Sequence, residues 1–331
     1  MQEEGKFPRL LSELRLGLGL AALGRPGYIN LGHDRDLGED KSVEALRAHA
    51  FEVLDAAWAA GIRYYDVARS YGQAEAFLTA WLLSREVPDD EVVVGSKWGY
   101  TYTAGWRVEA ERHEVKEHTL AVLDRQIVES RRQLGDHLRL YQIHSATLES
   151  GVLDNQPVLD RLDELKHSGL LIGLTLSGAD QGQTLARAME IERGGRRLFD
   201  SVQATWNVLE PSCGPVLAAA QRAGMTVMVK EALANGRLTE RNRDEDFEPK
   251  KQVLLGIARD QSTSIDAVAL AAALAQPWAG MVLSGAARKE HLASNLGALA
   301  IQLTEDDLDK LAALAEPPRE YWNRRAGLAW N

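Results

Sequence analysis

The chain has 331 residues, of which 45% are hydrophobic and 26% charged, with 28 Gly and 10 Pro. This composition is typical of a folded protein with a large core, and it excludes disorder, collagen and coiled coil as the main architecture. The 38 basic and 48 acidic residues give a net charge of −10, which argues against a nucleic-acid partner or an anionic membrane, because both need a basic surface.

The start of the chain and its cysteine content bear on the compartment. The first residues, MQEEGKFPRL, are acidic where a signal peptide is apolar, and the following LRLGLGLAALG is too short and too rich in Gly for a membrane span. Cys213 is the only cysteine, so no internal disulfide or cysteine-based zinc cluster can form. We therefore expect a cytoplasmic protein without a metal site, in which Cys213 is a small buried hydrophobe.

Eight short apolar runs follow along the chain and predict strands. Most of them are continuous rather than alternating, which is typical of parallel strands buried on both faces. The runs lie at 16–24, 62–68, 91–98, 138–144, 169–178, 201–207, 224–232 and 280–286.

Amphipathic stretches between these runs predict helices, for example at 42–61, 115–135 and 155–169. No linker interrupts the alternation of strand and helix. Two domains of ordinary size would also fit the length, but the pattern favours a single (β/α)8 TIM barrel that spans 1–331 as one domain.

Two segments lie outside the simple alternation. The polar segment 24–42 follows the first strand on the face where barrel enzymes build their sites. A capping-box-like TEDD begins a C-terminal helix at Thr304, which stops at Pro317. The aromatic and basic tail 319–331 is expected to pack over the barrel mouth.

Polar residues end three neighbouring strands. Asp66, Lys97 and His144 end the second, third and fourth runs, and Tyr71 lies five residues after Asp66. Because an ammonium favours phenolate, Lys97 is expected to lower the pKa of Tyr71 and make it a general acid, with Asp66 holding Lys97. A neutral His144 would orient the substrate oxygen. Taken singly, each residue also has a purely structural interpretation.

These motifs resemble the aldo-keto reductase family. The matching segments are DVARSYGQAE at 66–75, SKWG at 96–99 and LYQIHS at 140–145. The resemblance implies a barrel that binds NAD(P)H without a Rossmann domain. It also implies carbonyl reduction by hydride from nicotinamide, with Tyr71 as the proton donor and Asp66, Lys97 and His144 as the other catalytic residues.

The resemblance also implies residues for the dinucleotide. Thr175 replaces a family Ser, Gln203 matches an amide-binding Gln and Trp206 an aromatic that stacks on nicotinamide. The segment KEALANGRL resembles the pyrophosphate loop and contributes Lys230, Leu233, Gly236 and Leu238. Asn295 matches an adenine-binding Asn.

The adenosine end departs from the NADPH-specific pattern. The three positions that clamp the 2′-phosphate in such relatives are Gly285, Ala286 and His291 here. Arg288 is the remaining candidate phosphate ligand, because it opens a helix whose N–H groups favour an anion. We expect NADPH, with NADH also possible.

Substrate identity is not encoded in these motifs. Aromatic and polar side chains expected around the pocket are Trp98, Trp106, Tyr28, His33 and Trp322. A small-molecule carbonyl is the expected partner, and nothing indicates an oligomeric state. Two other functions stay open: a lyase or aldolase with Lys97 as a Schiff-base nucleophile, and a nucleotide-binding regulatory subunit with weak turnover.

Overall fold

The structure is a computed structural model that describes residues 14–331. The acidic start of the chain lies outside the described residues. Eight parallel strands form a closed barrel: β1 (Leu16–Gly19), β2 (Tyr64–Asp66), β3 (Val93–Trp98), β4 (Leu138–Ala146), β5 (Leu171–Leu176), β6 (Ser201–Thr205), β7 (Thr226–Lys230) and β8 (Met281–Ser284). Their order around the barrel is β1-β8-β7-β6-β5-β4-β3-β2.

Helices surround this barrel. They are α1 (His33–Asp36), α2 (Val43–Ala59), α3 (Ala74–Ser84), α4 (Leu120–Leu134), α5 (Gln156–His167), α6 (Gln181–Met189), α7 (Gly214–Arg222), α8 (Glu248–Asp260), α9 (Ile265–Leu274), α10 (Lys289–Gly297), α11 (Glu305–Ala312) and α12 (Pro318–Ala326). Seven of the eight strands lie within their predicted apolar runs, and β4 extends two residues beyond its run, so the TIM-barrel prediction is confirmed. Within residues 14–331, none of the helices has the length and apolar character needed to span a bilayer.

Two helix predictions are adjusted by local chemistry. The stretch 115–135 becomes helical only at Leu120, because the Thr119 hydroxyl caps the backbone N–H of Val122, and Glu114–Lys116 instead pairs with Tyr100–Tyr102 as an antiparallel hairpin. The C-terminal helix ends before Pro317 as predicted, but Pro318 begins a further helix, α12, where its fixed φ suits the first helical turn.

The barrel interior has an apolar floor. Buried side chains of alternate residues fill it: Tyr64, Val93, Leu140, Leu171, Met228, Met281 and Leu283. Gly95 makes room for the Tyr64 ring, since a Cβ there would lie 2.3 Å from the Tyr64 hydroxyl. The next inward-facing residue of β2 is Asp66, so a polar layer sits on this floor at the carboxyl ends of the strands.

Candidate active site

The structure brings together the four residues predicted for acid/base chemistry. Asp66, Lys97 and His144 face inward from β2, β3 and β4, and Tyr71 folds back from the loop after β2. The Lys97 ammonium donates to a carboxylate oxygen of Asp66, to the Val67 carbonyl at 3.0 Å and to the Tyr71 hydroxyl at 3.3 Å. The Tyr71 oxygen lies 3.5 Å from Nε2 of His144.

Asp66 is held by more than Lys97. Its second oxygen, Oδ2, accepts hydrogen bonds from the Tyr64 hydroxyl at 3.2 Å, the Gln142 amide at 3.4 Å and the Gln203 amide at 2.8 Å. Sequence reasoning missed Tyr64 and Gln142. Each lies two residues before a predicted site residue on the same strand, so strand alternation points both inward and was the available signal.

The pKa of Tyr71 shifts in the direction opposite to the sequence expectation. Burial, followed by the nearby Asp66 carboxylate, raises the pKa of Tyr71 well above its usual value of 10. The Lys97 ammonium does not reverse this, because Asp66 is in direct contact with it and offsets its charge. Tyr71 is therefore a protonated phenol at neutral pH, the form that can donate a proton.

His144 is neutral, as expected. Burial and then the Lys97 charge lower its pKa well below 6.5. His118, whose pKa burial lowers to about 4, donates from Nε2 to the backbone carbonyl of His144 at 2.9 Å. A Cβ at Gly99 would lie 2.2 Å from the His118 ring, so this packing requires a glycine there.

A cavity of about 720 Å³ runs from this cluster along the barrel mouth. One end holds Tyr71, His144 and Gln203, and the other holds Ser264, Asp266 and Asn295. Nine of the predicted cofactor and substrate residues line the cavity: Tyr28, Thr175, Gln203, Lys230, Leu233, Gly236, Gly285, His291 and Asn295. Its volume is within the range of small-molecule and cofactor sites.

Three predicted cofactor residues lie away from this lining. Trp206 follows the inward-facing Thr205, so it points outward and packs edge-on against Trp278 with 5.8 Å between ring centroids. Leu238 is fully buried in the core. The Arg288 guanidinium lies at the surface and pairs with Glu290 at 3.2 Å. The structure therefore places Trp206, Leu238 and Arg288 outside the cavity lining, and their cofactor contacts stay predictions.

Four predicted substrate residues also lie away from the cavity. Trp98 follows the inward-facing Lys97 and so packs outward, against His118. Trp106 donates its indole N–H to the Lys41 carbonyl at 2.7 Å. His33 is fully buried behind the cavity wall, and Trp322 is buried in the core beside Tyr321. Trp98, Trp106, His33 and Trp322 thus lie outside the cavity lining, and their substrate contacts stay predictions.

The wall nearest Tyr71 contains charged residues, of which Arg25 and Glu114 were not identified from the sequence. The Arg25 guanidinium lies 5.2 Å from the Tyr71 ring centroid and 4.7 Å from that of Trp330, and it pairs with Glu114 at 3.0 Å. Arg325 of α12 donates from both Nε and Nη2 to Glu231, which follows β7. Burial alone would raise the pKa of Glu231, but Arg325 and Lys230 together lower it to about 2. No local motif marks these pairs, which join distant segments.

Comparison with known proteins agrees with this architecture. Residues 15–316 match the sequence profile described as the Aldo/keto reductase family. An aldo-keto reductase of Strobilurus tenacellus, str7, is 25% identical over 339 residues, covering 96% of this chain and 93% of that protein. The NADH-specific methylglyoxal reductase of Escherichia coli (strain K12) is 24% identical over 330 residues, covering 91% and 94%.

A solved structure gives the same result for the fold. The holo form of an aldo-keto reductase from Bacillus halodurans superposes with a TM-score of 0.67 at 20% identity, covering 92% of each chain. The profile match extends over most of the chain and coincides with the closed barrel. The chain therefore belongs to the aldo/keto reductase family, whose members are oxidoreductases that act on aldehydes and alcohols with nicotinamide cofactors.

Proposed function

We propose that this protein reduces an aldehyde or ketone to the alcohol, with a nicotinamide dinucleotide as hydride donor and Tyr71 as proton donor. One observation carries the proposal: the Tyr71 hydroxyl lies on the cavity wall, 3.3 Å from the Lys97 ammonium and 3.5 Å from a neutral His144. A protonated phenol between these two groups can hydrogen-bond a carbonyl oxygen and protonate it as it gains charge.

The cavity fits a dinucleotide. Its far end contains Asn295, which is 1% exposed and donates its amide to Ser284 at 2.8 Å, while its own oxygen Oδ1 has no hydrogen-bond partner. A buried unpaired acceptor is costly unless a ligand supplies a donor, and the amino group of adenine is such a donor. Thr175 and Gln203 would hold the carboxamide, and Leu233 and Gly236 would lie beside the pyrophosphate.

The chain's own residues can perform the proton chemistry. When bound, the nicotinamide supplies a hydride to the carbonyl carbon. The Nε2–H of neutral His144 and the Tyr71 phenol are positioned to donate hydrogen bonds to the carbonyl oxygen. Because an alkoxide is far more basic than a phenolate, the proton of Tyr71 moves to the oxygen despite the raised pKa of the phenol. The nearby Lys97 ammonium stabilises the phenolate that is left.

The geometry does not favour Lys97 as a Schiff-base nucleophile. Its three N–H donors are taken by Asp66, Val67 and Tyr71, and it is 1% exposed. An ammonium held in this way offers no lone pair to a substrate. The expectation of NADPH rested on Arg288, whose exposed guanidinium is paired with Glu290, so binding of the 2′-phosphate by Arg288 requires this ion pair to break.

The test is a Tyr71→Phe variant assayed at 340 nm with NADH and NADPH over a panel of carbonyl compounds. We expect the turnover of the best substrate to fall by about 10²–10⁴-fold, the usual contribution of a general acid, with dinucleotide binding retained by fluorescence titration. Tyr65→Phe is the matched control, because Tyr65 is buried on β2, the strand before the loop that carries Tyr71, and faces outward.

Each outcome discriminates between functions. Equal rates for Tyr71→Phe and wild type would refute the assigned proton donor. Tight dinucleotide binding by the wild-type protein without turnover across the panel would instead support the regulatory-subunit alternative. Borohydride trapping of a substrate on Lys97, independent of nicotinamide, would support the lyase.

A further inference from the structure

We propose that the dinucleotide site selects NAD(H) over NADP(H), through an acidic wall at the end of the cavity remote from Tyr71. This inference rests on the proposed function, which puts the nicotinamide beside Tyr71. The cavity is continuous, so the adenosine half of the dinucleotide must occupy the remote end. The unpartnered Oδ1 of Asn295 marks a ligand contact at that end.

Carboxylates predominate at the remote end. Four of them line it: Asp36, Glu240, Asp266 and Glu290. The guanidinium of Arg241 lines it as well. The residues between β8 and α10 that line the cavity are Gly285, Ala286 and Ala287, which carry no charge.

The charge of Arg241 is already paired. Its guanidinium donates to both oxygens of Asp36, at 2.7 and 2.5 Å, in a bidentate arrangement. Asp36 is buried, with 4% of its side chain exposed, so this ion pair is poorly screened by salt. Asp36 would lose its partner if Arg241 turned toward a phosphate, and an unpaired buried carboxylate is costly. Arg241 is therefore not free to bind a second anion.

The other basic side chains near this end do not take the place of Arg241 as a phosphate ligand. His291 lies with Nε2 2.8 Å from Nη2 of Arg241 and so accepts its hydrogen bond. Burial lowers the pKa of His291, which keeps the ring neutral at neutral pH. Arg288 pairs with Glu290, and Lys289 points to Glu52 at 3.9 Å.

These charges act differently on the two dinucleotides. The 2′-phosphate of NADP(H) is a phosphate monoester with a charge of about −1.5 to −2 at neutral pH. It would be repelled by Glu240 and Asp266, the two carboxylates of this wall that form no ion pair among residues 14–331. The free ribose hydroxyls of NAD(H) are donors that a carboxylate accepts, as acidic residues do in other dinucleotide sites. The wall therefore favours the dinucleotide without the phosphate.

The test is calorimetric titration of the wild-type protein with NAD⁺ and NADP⁺, which measures binding apart from turnover. We expect NADP⁺ to bind at least about tenfold more weakly than NAD⁺.

Two variants test the acidic wall. Asp36→Asn should free Arg241 to bind the 2′-phosphate and so lower the ratio of the Kd for NADP⁺ to the Kd for NAD⁺. Because Asp36 is buried and its loss could affect folding, Glu290→Gln is a second variant, which removes an exposed carboxylate and frees Arg288. Glu39→Gln, on the same loop as Asp36 but outside the cavity lining, is the control and should leave the ratio unchanged.

Three results would overturn the inference. One is that the wild-type protein binds NADP⁺ as tightly as NAD⁺, or more tightly. In that case, loss of a preference for NADPH in the kcat/KM of Arg288→Ala would show that Arg288 binds the 2′-phosphate. Another is an unchanged ratio in both Asp36→Asn and Glu290→Gln. Binding of neither dinucleotide would refute the proposed function together with this inference, so failure of the two can be distinguished.

Discussion

At the scale of single residues, Tyr71 shows how burial can override a neighbouring charge. The spacing of Asp66, Tyr71, Lys97 and His144 allowed their convergence to be predicted from strand-end positions. The sign of the pKa shift was not predictable, because it depends on how completely the barrel and its loops bury the phenol. Burial raises the pKa of Tyr71, whereas sequence reasoning expected Lys97 to lower it.

This raised pKa predicts opposite pH behaviour for the two reaction directions. Carbonyl reduction needs the phenol, so Tyr71 should cause no fall in its kcat/KM between about pH 6 and 9. Lys230 of the cavity wall, whose pKa burial lowers to about 8, is the group expected to titrate in this range. Oxidation of the corresponding alcohol needs the phenolate, so its kcat/KM should keep rising to at least about pH 10. His144, whose pKa is lowered, should add no titration in this range. A plateau of the oxidation profile near neutral pH would contradict the burial argument.

At the scale of elements, the apolar runs predicted the strands well because a parallel strand buried on both faces leaves a continuous signal. Segments that depend on a partner were harder to predict. The strand Glu114–Lys116 exists because Tyr100–Tyr102 lies beside it, and its sequence alone was read as the start of a helix. Pro318 begins α12, but a proline also commonly follows the end of a helix, so the sequence around it did not indicate which role it has.

The packing of β2 against β3 gives a stability prediction. In Gly95→Ala the new Cβ would meet the Tyr64 hydroxyl at 2.3 Å, and we expect a loss of about 1–3 kcal/mol in the free energy of unfolding. Gly256→Ala is the matched control, because that glycine is inside α8 with nothing within 4 Å of the added Cβ, and it should stabilise by about 0.5–1 kcal/mol. Chemical denaturation of both variants measures the difference. Equal free energies of unfolding for Gly95→Ala and Gly256→Ala would show that the barrel interior accommodates the added methyl group without loss of stability.

At the scale of the whole molecule, the loop 24–42 and the C-terminal tail together form part of the barrel mouth. The loop 24–42 and the tail were both predicted to lie there, and the structure adds that they bind each other. The backbone N–H and carbonyl groups of Tyr28 and Asn331 exchange hydrogen bonds of 3.0 and 3.1 Å, and the Asn331 amide donates to the Asn30 carbonyl at 2.9 Å.

A ligand that binds across this mouth should stabilise the entire fold. Dinucleotide at about 100 times its Kd should add about 2.7 kcal/mol to the free energy of unfolding, which raises Tm by several degrees. Differential scanning calorimetry with and without the dinucleotide measures this shift. Tyr71→Phe should show the same shift, because the phenol is needed for proton transfer and not for cofactor binding. An unchanged Tm at saturating dinucleotide would argue against the cofactor site.

The sequence by itself determined the barrel, the family resemblance and the positions of Asp66, Tyr71, Lys97 and His144, because strand periodicity and motif spacing are local properties. Only the tertiary structure decided which charges are free. Arg288 meets Glu290, and Arg241 meets Asp36 across 205 residues of chain. Such pairings depend on which segments the fold brings into contact and on how deeply it buries them. Contact and burial together determine the pKa of Tyr71 and the charge around the proposed dinucleotide site.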